Sequence, residues 1–246
     1  MLRYISPHVG AEAYIGKGAV VFASVPMGQV RSITMSRMET FPIVVVASSA
    51  RDLEPVVELL SALPAIADQA FIIVQHLDPG RRYLPLNDVL AKRVSHPVAV
   101  ARDGVMPERG HIYVMRANVE LTIIDGLIRV MPSTGAVQHP GDVLFTSVAA
   151  DCGNRAIGVV LSGGGSDGAL GVRAINETGG VTFAQYPGSA RFPSMPISAI
   201  ETGCAGWVLR PNEIAVELAR LSRRLTTRSG GHDPPVSALR ELAIPG

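Results

Sequence analysis

The feature that most constrains the fold is an alternation of two patterns that begins at Pro42. Short runs of β-branched residues, such as Ile43 to Ala47, are followed by stretches with apolar residues at helical spacing, such as Asp52 to Leu63, which ends before Pro64. This alternation is typical of βαβ units, whose parallel strands are covered by helices on both faces. The sequence therefore predicts an α/β fold with a doubly wound, mostly parallel sheet.

The same alternation continues to about Leu225. Further strands are predicted at 71–74, 98–100, 111–115, 156–161, 181–184 and 206–209. Further helices are predicted at 82–94, 142–151, 167–178, 194–202 and 212–223. Between them, Leu121 to Val130 contains two strand-like runs joined by Asp125-Gly126, the signal of a two-residue type I′ turn. The sequence therefore predicts an added β-hairpin.

Three regions are expected along the 246 residues. Residues 1–40 show no sustained period and are predicted to be a loosely ordered N-terminal extension. Residues 41–226 form one folded domain, which is long enough to bury a full-sized core. Residues 227–246 have the Gly- and Pro-rich composition of a linker, so a C-terminal tail is expected.

Composition and charge exclude several classes of function. The 22 Lys and Arg balance 21 Asp and Glu without long runs of either sign, so neither nucleic-acid binding nor an anionic membrane surface is indicated. No apolar run reaches the ~18 residues of a membrane span, so direct membrane insertion is not expected. Cys152 and Cys204 lie far apart without a CxxC motif, which argues against a zinc site or a disulfide and favours a cytoplasmic location.

Three polar residues each follow a predicted strand, at the edge where open α/β sheets build their sites. They are Ser49, His76 and Asp167. Taken singly, each fits a structural role, with Ser49 as a helix cap, His76 as a structural histidine and Asp167 as an N-cap. Taken together, they supply the nucleophile, the base and the group that orients the base in acyl-transfer chemistry.

The loop that contains Asp167 allows a second interpretation. Gly163, Gly165 and Gly168 formally satisfy G-x-G-x-x-G, the fingerprint of a dinucleotide site. The Asp167 carboxylate argues against this alternative, because it would lie where a pyrophosphate needs positive potential. The stretch after the next strand, from Gln185 to Pro187, also lacks the acid expected to bind a ribose.

The residues resemble the catalytic domain of the CheB-type chemotaxis protein-glutamate methylesterases over 42–225. The matching segments are PIVVVASSA (42–50), FIIVQHLDP (71–79), GHIYV (110–114), DVLF (142–145), GVVLSGGGSDG (158–168), TFAQ (182–185) and MPISAI (195–200). Several separate motifs in the same order make this resemblance specific. The chain looks like the methylesterase unit alone, without the receiver domain that typically precedes it, so a separate regulatory protein is an expected partner.

The resemblance implies an enzyme that hydrolyses γ-glutamyl methyl esters on the cytoplasmic helices of methyl-accepting chemotaxis receptors. In many members of the family the same site also deamidates glutamines. By motif, Ser49 is implied to be the nucleophile, His76 the base and Asp167 its partner, and the backbone N–H of Gly164 is implied to contribute to the oxyanion hole. Neither a metal nor an organic cofactor is implied.

One departure from the family pattern lies next to the implied nucleophile. Where the family usually has two glycines, this chain has Arg51 and Asp52. Arg51 is placed at the substrate pocket, and both charges are expected to point to solvent from the first helical turn. Because the glycines are lost, the alternative from another class is a catalytically weak signalling scaffold that keeps the fold.

Overall fold

The structure is a computed structural model that describes residues 2–5, 12–16, 19–22, 41–77, 85–133 and 139–227. The chain divides into two units, 1–40 and 41–246. In the first unit, Leu2–Ile5 (β1), Glu12–Gly16 (β2) and Ala19–Phe22 (β3) form an antiparallel sheet in that order, which the sequence analysis does not predict. The predicted tail after residue 227 lies outside the described residues, and the three-part division of the chain stays a prediction.

The second unit contains alternating strands and helices. Its strands are Ile43–Ser49 (β4), Ala70–His76 (β5), Val98–Val100 (β6), Ile112–Val114 (β7), Val119–Ile124 (β8), Leu127–Pro132 (β9), Ala156–Val160 (β10), Val181–Gln185 (β11) and Trp207–Leu209 (β12). Its α-helices are Glu54–Ser61 (α1), Leu86–Leu90 (α2), Pro140–Cys152 (α3), Ala169–Glu177 (α4), Ser194–Glu201 (α5) and Pro211–Thr227 (α6). Among the described helices, none is both long and apolar enough to cross a membrane.

Seven of these strands form one parallel sheet in the order β12-β11-β10-β4-β5-β7-β6. Along the chain, β4 in the middle of the sheet is followed by its neighbour β5, then by β6 at the edge and β7 between β5 and β6, and the chain then returns to β10 on the other side of β4. The strand order therefore reverses between β4 and β10. This arrangement confirms the predicted doubly wound α/β fold, and it places the crevice of the sheet beyond the carboxyl ends of these two strands.

Both faces of the sheet are buried, because side chains alternate along each strand. On one face, Val45 and Ala47 pack in a core with residues of α3, α4, α5 and the hairpin. On the other face, Val44 and Val46 pack in a second core with residues of α1, α2 and α6. Burial on both sides favours apolar side chains throughout, which explains the unbroken apolar run from Ile43 to Ala47 before the two serines that end β4.

The hairpin of β8 and β9 forms as predicted. Asp125 and Gly126 adopt φ angles of 53° and 72°, the left-handed values that a type I′ turn requires at both central positions. The hairpin is fastened to α3 by two bonds, from the Ile123 N–H to Ser147 Oγ (3.0 Å) and from the Gly126 N–H to Asp151 Oδ2 (3.0 Å). The hairpin therefore braces the helix that approaches the edge of the sheet.

Two predicted helices differ from the structure. The helix predicted over 82–94 is α2, Leu86–Leu90, and part of the predicted start lies outside the described residues. After it, the Lys92 and Arg93 N–H groups bond three residues back instead of four, so the chain loosens into turns. The helix predicted from Asp167 begins at Ala169, because Gly168 takes the N-cap position with a φ of 91°. Asp167 is therefore not the cap of α4.

Helices α3 and α4 pack closely because glycines replace side chains where they meet. Phe145 of α3 is fully buried. A Cβ on Gly171 of α4 would lie 2.3 Å from Phe145 Cβ, and a Cβ on Gly158 of β10 would lie 3.1 Å from the Phe145 ring. The two glycines thus leave the space that the ring fills, and they fix the distance of α3 from both α4 and the sheet.

We expect Gly171→Ala to destabilise the protein by about 1–3 kcal/mol through overpacking against Phe145. Helix propensity alone would favour alanine by up to about 1 kcal/mol, so the packing term has the opposite sign. Leu170→Ala is the matched control, because this neighbouring side chain is 65% exposed and its loss should change stability by less than about 0.5 kcal/mol. Urea unfolding followed by circular dichroism measures both variants. A Gly171→Ala protein as stable as the native chain would contradict the packing argument.

Candidate active site

The three sequence-predicted residues lie at the carboxyl edge of the sheet, where the strand order reverses. Ser49 is the last residue of β4, His76 is the last residue of the adjacent β5, and Asp167 belongs to the loop that follows β10. Because these strands are parallel neighbours, their carboxyl ends meet at one edge. The topology therefore collects residues that are far apart in the sequence.

Ser49 and His76 are direct partners in the register of β4 and β5, so both side chains leave the same face of the sheet. The Ser49 N–H donates to the Ser162 carbonyl (3.1 Å), and its Oγ accepts the Arg51 N–H (3.3 Å). Ser49 is 1% exposed. Its hydroxyl lies beneath the surface of the crevice, so a bound carbonyl must displace neighbouring side chains to reach it.

The Asp167 carboxylate binds the beginning of α3. His139, at the N-cap position of this helix, makes no side-chain cap, and Pro140 has no N–H. The next two N–H groups, of Gly141 and Asp142, donate to Asp167 Oδ2 (3.1 Å) and Oδ1 (3.0 Å). Asp167 thus supplies from another loop the acceptor that an N-cap side chain usually provides.

The fixed Asp167 carboxylate faces the imidazole of His76. Nδ1 of His76 lies 3.7 Å from Asp167 Oδ2, with side-chain exposures of 28% and 2%. A buried carboxylate at this distance can hold an imidazole in one orientation and stabilise its charged form. The structure therefore brings the predicted base and its predicted partner together.

Backbone N–H groups near Ser49 differ in whether a carbonyl already accepts them. The Ala50 N–H donates to the His76 carbonyl (3.1 Å), and the Gly163 N–H donates to the Phe192 carbonyl (2.8 Å). Within the described residues, the Gly164 N–H has no comparable backbone acceptor. A Cβ at Gly164 would meet nothing within 4 Å, so the donor does not depend on glycine at this position.

The loop at 162–168 is held by two neighbouring segments. The Ser162 N–H donates to Oε1 of the buried Gln185 (2.8 Å), and the Phe192 N–H donates to Ser162 Oγ (3.0 Å). A Cβ on Gly163 would lie 2.0 Å from Met195 Sδ and 3.2 Å from Ser49 Cβ. The loop can therefore approach Ser49 and Met195 this closely only with glycine at position 163.

Asp142 extends the buried acidic cluster. Its Oδ1 accepts the Gly171 N–H (2.9 Å), and its Oδ2 lies 3.8 Å from His139 Nδ1. Burial raises the pKa of the Asp142 carboxyl and the neighbouring Asp167 raises it further, against the lowering effects of the Gly171 N–H and His139. Asp142 therefore links the start of α3 to α4 at the cost of a desolvated charge.

Among the described residues, His139, Asp142 and Asp167 are the group whose side chains could hold a metal ion, with ligand atoms within 4.8 Å of one another. Both oxygens of Asp167 and one of Asp142 already accept backbone N–H groups. The donor set thus fits the anchoring of a helix N-terminus better than it fits a metal centre.

The two charged residues after Ser49 differ from each other in exposure. Arg51 is exposed, as expected, and its guanidinium carbon lies 4.6 Å from the centroid of the Phe192 ring. Asp52 is 8% exposed, so the expectation that both charges point to solvent is wrong for this residue. The reason is that α1 begins only at Glu54, so Asp52 is not in the first helical turn. Asp52 instead ends a tight turn, in which its own N–H donates to the Ser49 carbonyl (3.1 Å).

Comparisons with known proteins identify the family of this fold. The profile of the CheB methylesterase family matches residues 44–218. The chain belongs to the CheB methylesterase family. It is similar to the Thermotoga maritima CheB methylesterase catalytic domain, with a TM-score of 0.65, 25% identity, and coverage of 74% of this chain and 98% of that one.

Two curated relatives of the CheB family carry the name protein-glutamate methylesterase/protein-glutamine glutaminase 3. The one from Myxococcus xanthus is 38% identical over 145 residues, which are 58% of this chain and 41% of the relative. The one from Burkholderia orbicola is 35% identical over 196 residues, which are 76% of this chain and 55% of the relative. The chain thus spans about half the length of the curated relatives it matches.

The sequence analysis does not identify several of the residues that shape this CheB-type site. Gly141 is one, because a Cβ there would lie 2.8 Å from Asp167 Oδ1. Gln185, Phe192 and Met195 are others, since they hold or contact the 162–168 loop. The Pro140-Gly141-Asp142 start of α3 is a signal for an N-terminus without its own cap, but the residue that caps it is distant in the sequence.

We expect Asp142→Asn to change how stability depends on pH. Between its unfolded pKa and its raised folded pKa, the Asp142 carboxyl binds more protons in the folded state, so its contribution makes the native chain less stable as pH rises. The asparagine can still accept the Gly171 N–H but carries no charge. The variant should therefore gain stability relative to the native chain as pH rises from about 4, up to a plateau above the folded pKa.

Urea unfolding at several pH values measures this difference. The exposed Asp88 provides the control, because Asp88→Asn removes one carboxylate without removing a buried charge. A stability difference between Asp142→Asn and the native chain that stays constant across the pH range would contradict the assignment of Asp142 as a desolvated acid.

Proposed function

We propose that the chain is a serine esterase that hydrolyses γ-glutamyl methyl esters on the cytoplasmic helices of methyl-accepting chemotaxis receptors. The observation that carries this proposal is the pairing of His76 Nδ1 with Asp167 Oδ2 at 3.7 Å, beside a serine in register with the same histidine. Membership of the CheB family supports the substrate class. Because these receptor helices lie in the cytoplasm, the proposed reaction takes place there.

The first half of the proposed reaction forms an acyl-enzyme. With Nδ1 directed to Asp167, Nε2 of His76 is the nitrogen that accepts the Ser49 proton as Oγ attacks the ester carbonyl. The Gly164 N–H donates to the oxyanion of the tetrahedral intermediate. The intermediate collapses when the C–O bond to the methoxy group breaks, and His76 delivers its proton to the departing methanol.

The second half releases the product through the same groups. His76 takes a proton from water, whose oxygen attacks the acyl carbon, and then returns a proton to Ser49 Oγ as the glutamate carboxylate leaves. Because the chain's own residues supply every proton transfer, the proposed reaction draws on no cofactor. A glutamine side chain could follow the same route with ammonia as the leaving group, so we include deamidation in the proposal.

The alternative is a catalytically weak signalling scaffold, and Arg51 and Asp52 are the residues that motivate it. Against this alternative, the Ser49, His76 and Asp167 side chains are all retained, and the Arg51 side chain is exposed. The dinucleotide alternative is not favoured, because the buried Asp167 carboxylate lies in the loop that leads into α4, the helix whose N-terminus would have to bind the pyrophosphate.

We expect Ser49→Ala to reduce methanol release from a γ-methyl glutamyl peptide by at least about a thousandfold, because no other group in the proposal attacks the carbonyl. The matched control is Ser48→Ala. Ser48 is equally buried, at 1% exposure, points to the opposite face of the sheet, and has an Oγ without a partner among the described residues.

Methanol release by Ser48→Ala should equal that of the native chain within a factor of about two. Unfolding curves for both alanine variants confirm that each protein folds, which is expected because Ser49 Oγ accepts only a long bond of 3.3 Å from the Arg51 N–H. Equal methanol release by the native chain and Ser49→Ala would refute the esterase and favour the scaffold.

A further inference from the structure

We infer that Arg51, Phe192 and Arg191 form a cationic rim that selects peptides with acidic residues next to the ester-bearing glutamate. The guanidinium carbons of Arg51 and Arg191 lie 4.6 Å and 5.4 Å from the centroid of the same Phe192 ring. Both arginines are exposed. This inference rests on the proposed function, because it concerns the substrate that reaches Ser49.

The rim is attached to the reacting groups on both sides. Arg51 lies two residues after Ser49, which is at most about 7 Å along the chain, and its N–H donates to Ser49 Oγ (3.3 Å). Phe192 accepts the Gly163 N–H and donates to Ser162 Oγ, so its backbone is fixed to the loop that carries Gly164. A peptide with its ester at Ser49 therefore has its neighbouring residues within reach of the rim.

The charges of the rim favour a carboxylate ligand. Two guanidinium groups close to one ring add their positive potentials, so a carboxylate that approaches the rim is attracted by both. The planar guanidinium also matches the two oxygens of a carboxylate. Acidic side chains that flank the ester are the anions that such a peptide substrate would carry, so the rim acts on specificity rather than on the chemical step.

The test uses three synthetic peptides with the same central γ-methyl glutamate, flanked by Glu, by Gln or by Lys. Native protein should show a kcat/KM for the Glu-flanked peptide about fivefold to tenfold above that for the Gln-flanked peptide, since exposed ion pairs are individually weak. This ratio should fall towards one at about 0.5 M salt, where exposed charges are screened. Because each ratio compares two substrates of one protein, a general loss of activity cancels.

The variants then assign the preference to the rim. Arg51→Gln/Arg191→Gln should bring the ratio to about one, and Arg51→Glu/Arg191→Glu should favour the Lys-flanked peptide. The matched control is Arg109→Gln. The guanidinium carbon of Arg109 lies 5.3 Å from the centroid of the Phe41 ring, which precedes β4 and so lies at the amino edge of the sheet, away from Ser49. This control should keep the native ratio. A native ratio near one, or an unchanged ratio in the double variants, would overturn the inference.

A binding experiment separates this inference from the proposed function. The Ser49→Ala protein is titrated against fluorescent Glu-flanked and Lys-flanked peptides, and the anisotropy gives each Kd without any turnover. Tighter binding of the Glu-flanked peptide that disappears in the Arg51→Gln/Arg191→Gln background supports the rim even if the native protein releases no methanol. Equal Kd values for the two peptides overturn the rim whatever the esterase assay gives.

Discussion

The candidate site depends on the contact between one buried carboxylate and the beginning of helix α3. Asp167 accepts the N–H groups of Gly141 and Asp142, which have no cap within their own segment. This contact satisfies the helix terminus and holds the carboxylate in one orientation. The same carboxylate oxygen that accepts the Gly141 N–H lies 3.7 Å from His76. A helix start and a proposed catalytic group are therefore positioned by one interaction.

The packing of α3 explains why this helix can hold the Asp167 carboxylate in a fixed position. Phe145 fills the space left by Gly158 and Gly171, so the helix lies at a fixed distance from the sheet and from α4. The β8–β9 hairpin is bonded to the same helix through Ser147 and Asp151. Rigid elements around a site hold its groups in place more precisely than loops alone. The added hairpin thus contributes to a site that it does not touch.

At the crevice, the chain keeps the polar groups of the CheB family pattern and departs from that pattern in the residues beside Ser49. The polar groups proposed for acyl transfer are present, while the two glycines beside Ser49 are replaced by an exposed arginine and a buried aspartate. Arg51 stacks on Phe192 and so joins the wall of the crevice. A charged wall changes which peptides are favoured without requiring a change in the reacting atoms.

The sequence by itself determined the order of strands and helices from β4 onward, the hairpin turn and the identity of Ser49, His76 and Asp167 as candidates. These features depend on local patterns, namely apolar periodicity, the Asp125-Gly126 pair and polar residues at strand ends. Only the tertiary structure decided what Asp167 binds, which glycines are required and where Asp52 and Phe192 lie. The contacts of Asp167 and Phe192 join segments 25 residues or more apart, so no local pattern predicts them. The glycines are required because side chains from other elements fill the space beside them. Asp52 is buried by the turn at 49–52, which the helical pattern after Ser49 did not indicate.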